Sequence, residues 1–114
     1  SLIQSTLADL QFVANLIWTD VNGNGKVDTT DSGLLAHVPQ SEFKTRSATT
    51  TTPYTAAEGG RFNVQMLTTD GSRGAHNPAY LRALLVATYN AIKTTYSLKV
   101  SPEVQGRVDA IRVR

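Results

Sequence analysis

Cysteine is absent from this 114-residue chain. Disulfides, thiolate metal sites and iron–sulfur clusters are thereby excluded. So is covalent haem attachment within the chain, which requires a Cys-x-x-Cys-His run. Histidine is scarce: His37 and His76 are the two imidazoles, so a three-His metal site would need a second chain. Charged residues make up 18%, below the usual quarter, and aromatic residues 7%. The formal net charge is only +2, and the basic side chains are scattered apart from Arg107, Arg112 and Arg114 at the end. That distribution carries no nucleic-acid footprint. No apolar run approaches the ~20 residues that cross a bilayer. The chain opens on Ser1-Leu2 with no charged stretch ahead of an apolar one, which reads as a processed product, a subunit fragment or an engineered boundary.

Catalytic signatures are missing as well. There is no G-x-S-x-G, no phosphate-binding glycine loop and no Cys/His pair. Asp70, Ser72 and His76 can be drawn as a triad, but they crowd into one short turn, and the expectation is a non-catalytic protein. What is present is ordinary globular material, 40% hydrophobic, at a length suited to a single domain spanning residues 1–114.

Residues 2–18 read as an amphipathic helix, with Ile3, Leu7, Leu10, Ala14 and Ile17 at three- and four-residue spacing. Phe12, Val13, Leu16 and Trp18 widen the stripe. A short helical turn is expected between Leu34 and Phe43. Residues 44–60 hold a threonine run, Pro53 and Gly59-Gly60, and read as an irregular surface loop with little to rest on. Phe62, Val64 and Met66 alternate with Asn63 and Gln65, which predicts a short extended segment over 61–67. Asn77 and Pro78 then make the cleanest helix start in the chain, Asn77 as N-cap and Pro78 at the first helical position. That helix is expected to run over 78–96. Leu81, Leu84, Leu85, Thr88, Ile92 and Tyr96 share one face, Ala83, Ala87 and Ala91 pack closely on another, and Tyr80 and Tyr89 are packing aromatics. The tail, 97–114, fits either two short strands or a helix capped at Ser101, with Val104, Val108 and Ile111 inward; the helix is preferred.

Residues 20–31 carry the most specific spacing. Asp20, Asn22 and Asn24 stand at positions 1, 3 and 5 of a loop, and Gly25 at position 6, where a sharp turn wants glycine. Lys26 stands at position 7, where a backbone carbonyl serves, and Asp28 at position 9. Asp31 closes the loop at position 12, where EF-hands place a bidentate Glu. Alternate side chains of such a loop converge on one centre, and a hard cation takes oxygen ligands. The expectation is one Ca2+ held by Asp20, Asn22, Asn24, the Lys26 carbonyl, Asp28 and Asp31, with Val27 pointing into the core. Few formal charges and the short Asp31 imply the modest affinity of extracellular modules. The plainer reading is an Asn/Gly turn with incidental acids. The segment resembles the calcium loop of dockerin modules, whose DVNGDGKVN-type loops end in Asp. Dockerins carry two such loops in tandem, and the other acid-led turn here, Asp70-Gly71-Ser72-Arg73, lacks the acids of a second.

Residues 70–85, DGSRGAHNPAYLRALL, form the other specific segment. They resemble the DGSxGxHNPxYxxxLL stretch near the C-terminus of multihaem c-type cytochromes, a group that includes the nitrite reductase and hydroxylamine oxidoreductase relatives. The resemblance implies that His76 matches a histidine able to supply the distal axial ligand of a haem, with the following helix packed along the haem stack. Arg73 and Arg82 suit haem propionates, because guanidinium matches carboxylate geometry; solvated surface arginines are the plainer reading. Without an attachment motif, any haem c must be carried by a partner chain. The chain is then a haemless companion docked on a haem-bearing subunit, or a haemless relative that kept the scaffold, or the motif is only a helix cap.

The fold expected is mainly α: two antiparallel helices joined by a calcium-binding loop, a long irregular loop and a short extended segment. Two helices enclose a thin core, so buried contact with a second chain above ~1,000 Å2 is expected. The function expected is that of a calcium-binding, non-catalytic domain or subunit of an extracytoplasmic multihaem cytochrome assembly, supporting electron transfer. Its partner is a haem-bearing cytochrome chain or another protein subunit, with no nucleic acid and no membrane span. The alternative is a dockerin-like, calcium-dependent interaction module of the extracellular space without haem.

Overall fold

Leu10, Ala14 and Ile17 recur every three or four residues, and in the computed structural model that stripe is the buried face of a helix, α1 (Leu2–Ile17). The structure describes residues 2–70 and 78–112, and the side chains of 6–67 and 78–112. Val13 is fully buried beside the stripe, and Trp18, just past the last turn, is 4% exposed. Leu7, Phe12 and Leu16 pack against this core from its margin.

The architecture is mainly helical, as the sequence leads one to expect. Four helices, α1, α2 (Ala56–Asp70), α3 (Pro78–Thr95) and α4 (Pro102–Arg112), are described, with two short 3-10 turns, Leu34–His37 and Gln40–Glu42, between the first pair. Among the described residues there is no strand; one isolated antiparallel bridge pairs Thr19 with Ser32. None of the described helices is long and apolar enough to cross a membrane.

The third helix organises the rest: α1, α2 and α4 all pack against it. Leu85, Val86, Tyr89 and Ile92 of α3 are buried. The arc they define places positions 83, 87 and 91 nearly opposite, at 100° per residue. Ala83, Ala87 and Ala91 are accordingly exposed, contrary to the close packing expected of them. Tyr89 is a packing aromatic, but Tyr80 is 61% exposed. Past the end of α3, Ser97 takes a left-handed conformation, φ 52°, and the Leu98 N–H donates to the Lys93 carbonyl at 2.9 Å.

Residues 61–67 are not extended: they lie inside α2. The start of that helix explains why. The Thr55 hydroxyl accepts from the Glu58 N–H at 3.1 Å, and the Glu58 carboxylate accepts from the Thr55 N–H at 2.9 Å, a reciprocal capping box. Two glycines cost the helix about 1 kcal/mol each relative to alanine. Close packing goes with that cost, because a Cβ on Gly60 would overlap the Ile92 Cδ1 and the buried Ile92 side chain would have to shift. Ala57, Gly60, Val64 and Leu67 therefore form one inward face, with Ala57 and Val64 fully or nearly buried. Phe62 falls on the other side of the helix and is 64% exposed, so it does not share a buried face with Val64.

The irregular loop is shorter than expected, ending at Thr55, and it does rest on something. Arg46 holds it together. Its Nε donates to Glu58 at 3.0 Å, Nη2 bonds the other Glu58 oxygen and the Pro53 carbonyl, and Nη1 donates to the Thr52 carbonyl at 2.6 Å. The guanidinium also stacks on the Tyr54 ring, 4.7 Å from its centroid. The Tyr96 hydroxyl ties this region to α3, accepting from the Ala57 N–H at 3.0 Å and donating to Glu42 at 2.8 Å.

The tail is the helix α4. Ser101 caps it, its hydroxyl accepting from the Val104 N–H at 3.2 Å, and Val108 and Ile111 are buried. Arg107 stacks on Phe12 of α1, 3.7 Å from the ring centroid. Four helices and the Leu34–Val38 turn thus share the core. The thin two-helix core from which a large second-chain contact was inferred is replaced by this one.

Candidate metal centre

The loop of residues 20–31 leaves α1 at Trp18 and returns beside its own start, pinned by the Thr19–Ser32 bridge with N–H to carbonyl distances of 2.9 and 3.2 Å. Gly23 and Gly25 both have positive φ, 70° and 74°, so the two turns use glycine where other residues are strained. Val27 is buried at 6% exposure and fixes the loop to the core, as its apolar character predicts.

Inside this frame the polar side chains turn inward. Asp20 accepts from the Gly23 N–H at 3.1 Å and the Gly25 N–H at 2.7 Å. Asn22 accepts from the Asn24 N–H at 3.2 Å, and Asn24 accepts from the Lys26 N–H at 2.9 Å, two successive Asx turns. The side-chain amides of Asn22 and Asn24 both donate to the same oxygen of Asp28, each at 3.1 Å. The other Asp28 oxygen accepts from the Thr30 N–H and hydroxyl. The Thr30 hydroxyl first, then the two amides, hold the Asp28 carboxyl at about 2, below its ordinary 3.8. Asn22, Asn24 and Asp28 therefore converge on one point.

Asp31 has a different position from the one expected of a terminal ligand. It is 8% exposed, and its Oδ2 accepts from the Trp18 indole N–H at 2.9 Å and from the Asp28 N–H at 3.1 Å. Its Oδ1 accepts from the Val21 N–H at 3.1 Å. Three of the roughly four acceptor positions of a carboxylate are thus occupied, and Asp31 has room for about one further partner. Among the described residues no three carboxylate or imidazole groups lie close enough together to form a metal site by themselves. The convergent set is mixed, amide and carboxylate.

Helix α2 buttresses the loop from outside. Gln65 and Arg61 donate to the Gly25 carbonyl at 3.1 and 3.4 Å. Sequence reasoning did not find Trp18, Thr30, Arg61 or Gln65. Thr30, two residues after an Asp, is a signal of a local turn; the other three contacts come from tertiary placement and have none.

Residues 71–77 of the histidine motif, Arg73 and His76 among them, lie outside the described residues. Arg82 is described. It lies half-buried on α3, its Nη1 3.9 Å from Asp9 of α1, so it is engaged within its own chain. His37 ends the first 3-10 turn and is exposed. Searched against protein-family models, curated proteins and solved structures, the chain gives no match.

Proposed function

We propose that this chain is a calcium-binding, non-catalytic helical domain of an extracytoplasmic multihaem cytochrome assembly, with Ca2+ as a structural staple on the loop after α1. The convergence of Asn22, Asn24 and Asp28, framed by Asp20 and by positive-φ glycines, is the observation that supports the calcium half. The Asn22 and Asn24 Oδ1 atoms, which accept from the Asn24 and Lys26 N–H groups, each keep a second lone pair for a cation. The cation then takes ligands from Asp20, Asn22, Asn24, the Lys26 carbonyl, Asp28 and one remaining position on Asp31. A site with so few charges and one monodentate carboxylate at its end suits millimolar calcium of the kind extracellular modules meet. The assembly half rests on the Asp70–Leu85 motif, with His76 as distal ligand to a haem c on a partner chain and Arg73 near its propionates, Arg82 being held by Asp9.

Calorimetry with Ca2+ tests the first half. One site is expected, lost in Asp20→Ala, with the Asn22 and Asn24 side-chain amide resonances shifting on titration. No heat and no amide shift at 10 mM Ca2+, about tenfold above the weakest of such affinities, refutes it. Purification from the native source tests the second. A complex with a Soret band, one of whose haems turns high-spin in His76→Ala, supports the cytochrome reading. A colourless protein that still binds calcium supports the dockerin-like alternative.

A further inference from the structure

Two joined clefts, of about 650 and about 300 Å3, run along the α2 surface and share Lys44, Glu58 and Arg61. The larger is walled by Tyr54 and Phe62, and the smaller reaches Lys26 at the edge of the loop. We propose that this groove docks a short, extended acidic segment of a partner protein, its carboxylates on Lys44, Arg61 and Lys26 and an apolar side chain between Tyr54 and Phe62.

Charge carries the first part of the argument. Lys26, Lys44 and Arg61 form no ion pair among the described residues. The one carboxylate lining both clefts, Glu58, is already neutralised by Arg46. The groove is therefore a local positive surface on a chain whose net charge is only +2. Arg61 gives one of its five donors to the Gly25 carbonyl, which orients the guanidinium and leaves donors for a carboxylate, the geometry it matches best. Aromatic surface carries the second part. Tyr54 and Phe62 are 74% and 64% exposed, an unusual outlay for two large rings beside one cleft. Tyr54 is not a free loop tip: Arg46 stacks on it and is itself tied to Thr52, Pro53 and Glu58, so the wall is set before a ligand arrives. Exposed Tyr and Phe beside Arg are the residues that dominate interface energetics.

Proton–nitrogen NMR titration of the whole chain, with calcium held saturating, tests this. The probes are the blocked peptide Asp-Glu-Phe-Glu-Asp and its Asn/Gln counterpart. Expected are shifts at Lys44, Tyr54, Arg61 and Phe62, and at least tenfold weaker binding of the neutral peptide. A tenfold loss is also expected in the double variant Lys44→Glu/Arg61→Glu, and a severalfold loss in Phe62→Ser. Lys44 and Phe62 are exposed and Arg61 is half-buried at the α2 surface, so circular dichroism should show the helices retained. Equal binding of both peptides, shifts centred elsewhere, or tighter binding of a heparin tetrasaccharide than of the acidic peptide would each overturn the proposal.

Discussion

Replacing Glu58 by Gln removes one charge from the point where the 44–55 loop, the start of α2 and the core meet. Arg46 donates to both carboxylate oxygens, and the Thr55 N–H donates as well. The side chains of Arg46 and Glu58 are only 17% and 7% exposed. Arg46 first, with the Thr55 N–H helping, holds the Glu58 carboxyl at about 2 against an ordinary 4.5, although burial acts in the opposite direction. Charge-assisted hydrogen bonds of this kind contribute about 1.5–3 kcal/mol, and solvent reaching the guanidinium reduces that to about 1–2 kcal/mol. A carboxyl depressed in the folded state stabilises fully above its unfolded pKa and ceases to do so as pH falls through the folded one. The contribution is therefore whole above pH 4.5 and disappears as pH approaches 2. Urea unfolding of the parent and Glu58→Gln, followed by circular dichroism from pH 2 to 7, reads the difference directly. Other acids, Asp28 among them, titrate in both proteins and cancel. A gap of about 1–2 kcal/mol at pH 7 that closes toward pH 2 is expected. A gap below about 0.5 kcal/mol at pH 7, the scatter of ordinary surface substitutions, refutes the argument, as does one that persists at pH 2.

Two backbone predictions follow from positive φ. Gly33 sits at φ 98°, ψ 179°, and a Cβ there would lie 2.8 Å from the Ile17 carbonyl oxygen and 2.9 Å from the Trp18 Cα, both backbone atoms that cannot swing aside. Gly33→Ala should cost about 2–5 kcal/mol in a denaturant titration, backbone strain and overpacking together, and a loss under 1 kcal/mol counts against the reading. Ser97, the one non-glycine residue at positive φ among the described residues, is the reverse case. Ser97→Gly should raise stability by about 0.5–1 kcal/mol, visible as a higher melting temperature, and a lower one would show that the serine side chain supports the end of α3.

Helices whose inward faces are built from large apolar residues were legible in the sequence. Leu10, Ala14 and Ile17, and then Leu85 and Ile92, announce themselves by spacing, and Pro78 and Ser101 mark starts. The helix α2 was not legible by the same rule, because Ala57 and Gly60 form half of its inward face and small residues do not register as an apolar stripe. Its cap, Thr55-Ala-Ala-Glu58, was in the sequence and would have identified the start. Gly59-Gly60 outweighed it, read as a breaker when one of the two is the surface that lets α2 approach Ile92. The alanines of α3 show the converse error: small residues at regular spacing suggest close packing, but the larger Val86 and Tyr89 on the far side have more area to bury and set the orientation of the helix.

The loop repeats this lesson within a few residues. Its spacing was legible because each turn depends on its own side chain: Asp20, Asn22 and Asn24 accept from N–H groups two to five residues ahead. The role of Asp31 was not, because it depends on Trp18, which packs on the core and brings its indole N–H to the carboxylate from another element. That contact gives a physical reason for the short side chain at the end of the loop. A Glu there would carry its carboxylate one methylene further out and lose the Trp18, Val21 and Asp28 donors, whereas Asp keeps all three. The loop therefore closes through bonds to its own backbone and to Trp18 whether or not a cation is bound, and a cation adds to a frame already held. On the proposed calcium reading, removing the ion from such a frame should lower stability by RT ln(1 + [Ca2+]/Kd), about 1.4 kcal/mol at tenfold saturation, without unfolding α1. Chelation should accordingly shift the melting temperature by a few degrees and leave the helical signal at room temperature unchanged. Loss of that signal on chelation would show that the cation, not the Trp18–Asp31 bond, holds the loop closed.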